Sequence, residues 1–208
     1  MIYELRSYDF DPAGAPRYLA LFQSEGLPLV TRHLPLLGYW LTETGGLNRL
    51  HHLWVYRDLE DRAACRAGAS RDKGWTQGFA PRAFPMIRRQ TSCLMTLEVG
   101  SEALRRAEEA ARRAHGPVAA SAPVTGPGWA MLLRDPSRGK TGDEEGAVEP
   151  KGGGAGLVAC WRVLSGVGEA PPGARIVLSR AAEAGGLRFP DRPARACELM
   201  RPTSFSPL

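Results

Sequence analysis

The chain has 208 residues, 43% of them hydrophobic, with a formal net charge of +5 and a pI near 9.3. That is enough to bury the core of one sizeable domain or two small ones. Its basic residues are interspersed with Asp and Glu and form no block, which excludes a phosphate-tracking stripe and a nucleic-acid partner, and no apolar run reaches the ~18–20 residues of a membrane-spanning helix.

Cys65, Cys93, Cys160 and Cys197 are far apart in sequence, with no Cys-x-x-Cys and no Cys/His cluster at ligand spacing. They read as free, mostly buried thiols in a reducing compartment, with no metal site. Strand pattern begins at Ile2 without a preceding apolar segment, so a cytoplasmic location is expected.

Taken in order, Ile2 to Phe10 alternates as a strand, with Tyr3 and Leu5 on one face and Glu4, Arg6 and Tyr8 on the other. Asp11-Pro12 and Gly14 turn the chain. A helix follows from about Pro16 through Leu19, Phe22, Leu29 and Val30, with Gly26 and Pro28 predicting a kink. Leu36 to Thr44 is a second strand, opposing Tyr39 and Leu41 to Trp40 and Thr42. Gly45-Gly46 turns it into a third, Leu50 to Arg57, and the two predict an antiparallel hairpin.

The third strand carries Leu53 and Val55 on one face and His52, Trp54 and Tyr56 on the other. Adjacent His51 and His52 therefore point apart and cannot share a metal. Asp58 suits an N-cap for a helix to about Ala69. A second helical piece, Asp72 to Arg88, is broken by Pro81 and Pro85, and Thr91 to Glu98 is a fourth strand. The order β-α-β-β-α-β predicts an α+β fold with a ferredoxin-like unit over residues 1–98.

Residues 99–208 differ in texture, with few aromatics and most of the Gly and Pro. Ser101 caps a helix expected to reach His115. Gly128 to Arg134, Leu157 to Leu164, Ala174 to Ser179 and Ala194 to Met200 are strand candidates. Residues 136–156 read as a mobile, Gly-rich loop. Laying Leu157–Trp161 on Leu50–Trp54, and Cys197–Met200 on Ser92–Met95, suggests a degenerate second ferredoxin-like unit.

With Tyr3/Leu5, Tyr39/Leu41 and Leu53/Val55 assigned to the helix side, a central cavity would be faced by three other sets. These are Glu4, Arg6 and Tyr8, then Trp40 and Thr42, then His52, Trp54 and Tyr56. His52 is the candidate general base, Arg6 an oxyanion stabiliser, and Tyr8 and Tyr56 proton or hydrogen-bond donors. Glu4, Trp40, Thr42 and Trp54 are candidate ligand contacts. The competing reading is that these polar groups only satisfy one another within an interface.

Several stretches together resemble the NIPSNAP family. They are Ile2–Tyr8, Glu25-Gly26-Leu27-Pro28, Gly38-Tyr39-Trp40 with Glu43, Gly46-Leu47-Asn48, His52–Tyr56 and the closing Arg201–Leu208. The resemblance implies a dimeric α/β-barrel in which two ferredoxin-like sheets face each other, either across a homodimer or as an intrachain pseudo-dimer. It names no reaction, since one fold hosts many. Two expectations follow. One is binding or conversion of a small aromatic or enolisable molecule in the barrel by a cofactor-free oxygenase or isomerase. The other is a non-catalytic, self-associating scaffold or protein-interaction module. No cofactor is implied.

Overall fold

The computed structural model describes residues 1–135, 155–168, 170–187 and 196–208. Among these residues, eight strands close into one antiparallel barrel. They are β1 (Ile2–Phe10), β2 (Leu36–Thr42), β3 (Arg49–Tyr56), β4 (Ile87–Gly100), β5 (Trp129–Asp135), β6 (Ala155–Ser165), β7 (Arg175–Ala181) and β8 (Ala196–Pro202). Around the ring they run β1-β3-β2-β8-β5-β7-β6-β4. The arc β4-β1-β3-β2 is followed by an arc of the same internal order, β8-β5-β7-β6. Closure within one chain leaves the ring without a free edge.

Four helices and two π-helical turns lie in the connections of the first arc. After β1 come α1 (Gly14–Leu21), a π turn at Phe22–Gly26 and α2 (Leu27–Val30). The kink expected at Gly26 and Pro28 is this π turn, which widens the helix without ending it. After β3 come α3 (Leu59–Arg71), a second π turn at Gly74–Phe79 and α4 (Ala80–Ala83). Asp58 caps α3, its carboxylate accepting the Asp61 N–H at 2.7 Å. Helix α5 (Glu102–Ala110) is capped by Ser101, which accepts the Leu104 N–H at 3.2 Å, and it stops short of the expected His115. The loop expected over 136–156 lies outside the described residues up to 154, and its last two residues begin β6.

Cross-strand pairing fixes which residues share a face. Tyr3 pairs with Val55, Leu5 with Leu53, and Ser7 with His51, while Glu4 pairs with Trp54 and Arg6 with His52. The first set faces the lumen. Tyr3, Leu5, Leu53 and Val55 pack there with Trp161, Ile176 and Leu178 from the other arc. The second set lies under the helices, where Tyr8, Trp54 and Tyr56 pack with Tyr18, Phe22 and Phe79. The facing assignment from sequence is thereby inverted. The aliphatic face closes on its counterpart across the barrel, and the polar aromatic face receives the helices.

Strand β2 also enters one residue out of the assumed phase. A bulge sets Leu36 against Trp54 and Gly38 against Leu53, so that Tyr39 pairs with His52 and Trp40 with His51. Gly38 permits this, because a Cβ there would sit 2.0 Å from the Trp40 ring. Trp40 and Thr42 therefore face the lumen. Trp161 is on β6, which holds the place in its arc that β2 holds in the first, so ring position matches Trp161 to the strand of Trp40, not to Trp54. The four cysteines are free, but only Cys93 is buried; Cys65, Cys160 and Cys197 are partly exposed. Among the described residues no helix is long and apolar enough to cross a membrane.

Candidate functional site

Between the first arc and its helices lies a cavity of about 290 Å³. β1 contributes Arg6 and Tyr8, β2 contributes Tyr39, and β3 contributes His52 and Trp54. Tyr18 and Phe22 close it from α1 and the first π turn, and Arg66 and Ser70 from α3. Trp75, Phe84 and Gln90 stand at the exposed end, whereas His52, Tyr39, Tyr18 and Phe22 form a buried floor. The volume sits at the lower edge of the roughly 300–1,000 Å³ of small-molecule sites, so it suits a small ring.

The His52 ring is held on several sides. Tyr39 stacks on it at 4.9 Å and 9°, and Tyr8 and Trp54 meet it edge-on at 4.6 and 5.5 Å. The Trp54 indole N–H donates to His52 Nδ1 at 2.6 Å. Indole only donates, so Nδ1 carries the lone pair and the neutral ring holds its proton on Nε2. Burial, and then the Arg6 charge, push the His52 pKa well below its ordinary value, so the ring stays neutral. With its lone pair engaged by Trp54, the group His52 turns to the cavity is a hydrogen-bond donor.

Among the described residues His52 Nε2 has no acceptor, nor do Arg6 Nε and Arg66 Nε, all three being buried. Buried polar groups are normally paired, so these donors, with the likewise unpaired Tyr39 hydroxyl, leave the cavity able to take up an acceptor. Tyr18 and Tyr39 add no base. Burial raises Tyr18, which lies beside Tyr8, and raises Tyr39 well above the usual phenol range. No carboxylate lines the cavity among the described residues.

Glu4, fully buried behind the cavity, is already saturated. It accepts from Arg62 at 2.9 and 3.0 Å, from Arg66 at 2.8 and 2.9 Å, from Ser92 at 2.8 Å and from Arg6 at 3.3 Å. Burial alone would raise its pKa. The Arg62 and Arg66 hydrogen bonds outweigh that and hold it far below the usual carboxylate range. The Tyr56 hydroxyl donates to Glu4 at 3.4 Å, and burial followed by the Glu4 charge raises its pKa. Glu4 thus anchors Arg6 and Arg66, and the Gln90 side-chain oxygen holds Arg6 from the other side at 3.0 Å.

Of the residues predicted from sequence, Arg6, Tyr8, His52 and Trp54 meet at this cavity. Glu4 and Tyr56 lie behind it. Trp40 and Thr42 stand on the opposite face, Thr42 donating to the Gly46 carbonyl at 2.5 Å. Tyr18, Tyr39 and Arg66 were missed. The i, i+4 arginines Arg62 and Arg66 were the available signal: they point from one face of α3 toward a strand bearing a buried acid. Among the described residues no group of three or more His, Cys, Asp or Glu is placed to hold a metal ion.

The fold and site define a closed antiparallel α/β-barrel protein with a donor-lined pocket beneath its helices. Residues 3–102 match the NIPSNAP family model. The chain is 34% identical to an uncharacterized NIPSNAP domain protein from Burkholderia xenovorans, over 46% of this chain and 93% of that one, with a TM-score of 0.45. It is 36% identical over 78 residues to mouse (Mus musculus) NipSnap homolog 3B, covering 37% of this chain and 31% of the relative. It is 33% identical over 93 residues to human (Homo sapiens) NipSnap homolog 3A, covering 44% and 37%. The chain therefore belongs to the NIPSNAP family, and it spans about a third of the length of these curated relatives. Every residue lining the sub-helical cavity falls within the matched stretch.

Proposed function

We propose that the cavity beneath the helices binds a small aromatic molecule bearing an oxygen anion or strong acceptor, such as a phenolate, enolate or carboxylate. The supporting observation is the buried His52 Nε2–H, turned into a fixed donor by the Trp54 bond and left without an acceptor among the described residues. Tyr8, Tyr39 and Trp54 supply ring contacts, and Arg6 and Arg66 the countercharge. A neutral imidazole donor beside a guanidinium stabilises negative charge on oxygen without exchanging a proton.

Within the two chemistries expected, this favours the cofactor-free oxygenase, whose substrate enters as its anion. It disfavours the isomerase, which needs a base that the cavity-lining residues do not offer. The alternative, a non-catalytic self-associating scaffold, draws less support, because the sheet face it would use for assembly is covered by the second arc of the same chain.

The test is titration with 4-nitrophenolate, read by its absorbance and by tryptophan fluorescence. Saturable binding is expected, weakened at least tenfold in His52→Phe and in Arg6→Gln, with nitrobenzene, which lacks the oxyanion, binding far more weakly. No saturable binding, or equal binding by His52→Phe, would overturn the proposal.

A further inference from the structure

The lumen holds a second polar constellation, built on the other histidine of the doublet. The Ser7 hydroxyl lies 2.7 Å from His51 Nδ1, and His51 Nε2 lies 3.1 Å from Glu198 Oε2 on β8. Arg134 on β5 donates to the same Glu198 oxygen at 2.5 Å, and Arg49 to its other oxygen at 3.2 Å. Burial would raise the Glu198 pKa, but the His51 hydrogen bond and the charges around it hold it well below the ordinary range. An ionised carboxylate only accepts, so His51 Nε2 carries the proton and Nδ1 offers its lone pair to the serine O–H. Burial lowers the His51 pKa and keeps that lone pair free.

Ser7 lines a cavity of about 390 Å³ at this end of the barrel, separate from the sub-helical one. Leu5, Cys93 and Ala170 give it apolar lining; Thr91 and Arg89 give it polar lining, and Arg89 and Val167 are exposed at its mouth. Burial pushes the Cys93 thiol up to about 11, so it stays protonated and does not compete as a nucleophile. Arg49, Arg89 and Arg134 border the cavity, against the carboxylates of Asp9 and Glu198 that pair with Arg49.

We infer that Ser7, His51 and Glu198 form a nucleophilic relay in the barrel lumen that cleaves short-chain acyl esters or thioesters with an anionic leaving portion. A nucleophile in hydrogen-bond contact with a base, which a third group orients, is the signature of covalent acyl transfer. Ser7 Oγ attacks the acyl carbon and its proton passes to His51 Nδ1. The bond from that carbon to the leaving oxygen or sulfur breaks, and the leaving group takes the proton from Nδ1. Water, deprotonated by the same nitrogen, then attacks the acyl carbon; the bond from that carbon to Ser7 Oγ breaks, Oγ takes the proton back from Nδ1, and the acid leaves. The imidazolium formed in each half is countered by Glu198, and the arginines favour the oxyanion and the anionic leaving portion. Glu198, Arg134 and Ala170 lie beyond the family match, so this site depends on the second arc and is not carried by residues 3–102 alone.

The experiment is labelling of the whole chain with a small alkyl fluorophosphonate, read by intact mass and peptide mapping. One adduct on Ser7 is expected, with fluoride released. It should be absent in Ser7→Ala and form at least 100-fold more slowly in His51→Gln, the scale of a lost general base. Circular dichroism checks that each variant folds, and the wild-type and Ser7→Ala pair decides the matter even if His51→Gln does not. No adduct on wild type, or the same adduct on Ser7→Ala, would overturn the relay without touching the sub-helical cavity, whose binding is read with 4-nitrophenolate.

Discussion

His51 and His52 are neighbours in sequence and inhabit two different chemistries. His51 looks into the lumen, where Ser7 and Glu198 use both its nitrogens. His52 looks under the helices, where Trp54 uses one nitrogen and nothing among the described residues uses the other. Both rings are buried and have lowered pKa values, so burial does not distinguish them. Satisfaction does. A saturated network stores a relay that can act through its own members, whereas an unsaturated one advertises a missing partner. The alternation of a single strand makes both from two consecutive residues.

The largest expected effect comes from breaking the anchor behind the sub-helical cavity. Glu4→Ala leaves Arg6, Arg62 and Arg66 without their shared acceptor, and removing one partner of a buried ion cluster costs about 3–5 kcal/mol. Denaturant unfolding should show that loss. The matching test in the lumen is Glu198→Gln, which keeps the shape but removes the charge facing Arg134, Arg49 and His51. About 2–3 kcal/mol is expected in the same measurement, on the scale of hydrogen bonds to charged groups.

Acidification should stress both regions with the same sign. His51 and His52 have folded pKa values below their unfolded ones. The unfolded state therefore binds more protons below about pH 6.5, and each ring removes up to ~1.4 kcal/mol of stability per pH unit from there toward its folded value. Glu4 and Glu198 are also lowered. Their contribution is complete above about pH 4.3 and is lost as pH falls toward the folded values. Thermal melting from pH 8 to pH 3 should fall in two stages, and His52→Gln should shrink the upper one. A melting temperature flat between pH 7 and pH 5 would contradict this.

The smallest stability effect separates the two rings most sharply. Trp54→Phe removes the indole donor to His52 together with part of the ring's packing, at a cost of about 1–2 kcal/mol, and should release the His52 tautomer while leaving His51 fixed. Ring ¹⁵N shifts of the two histidines in that variant check it.

Much of this arrangement was legible in the sequence. Alternation correctly parted His51 from His52, and grouped Arg6 and Tyr8 with His52 and Trp54, because a strand leaves no freedom there. The Asp58 cap and the break at Gly26-Pro28 were equally local. What could not be read was which face would meet the helices. Leu5 and Leu53 look like core on either side, and only the second arc's Trp161 and Ile176 decide that they close the lumen. The β2 phase was lost to one bulged residue, which moved Tyr39 into the site and Trp40 out of it. Glu198 was invisible for the opposite reason: its partners His51 and Arg134 are distant in sequence and meet only when the barrel closes.

The most direct measurement is the protonation of the His52 ring by long-range ¹H–¹⁵N NMR at pH 7, with and without 4-nitrophenolate. A neutral ring is expected, with its proton on Nε2 and a bare Nδ1, and with the Nε2–H resonance shifting as the probe binds. A proton on Nδ1, a cationic ring, or an Nε2–H resonance unmoved at saturating probe would contradict a cavity built around an unpaired donor.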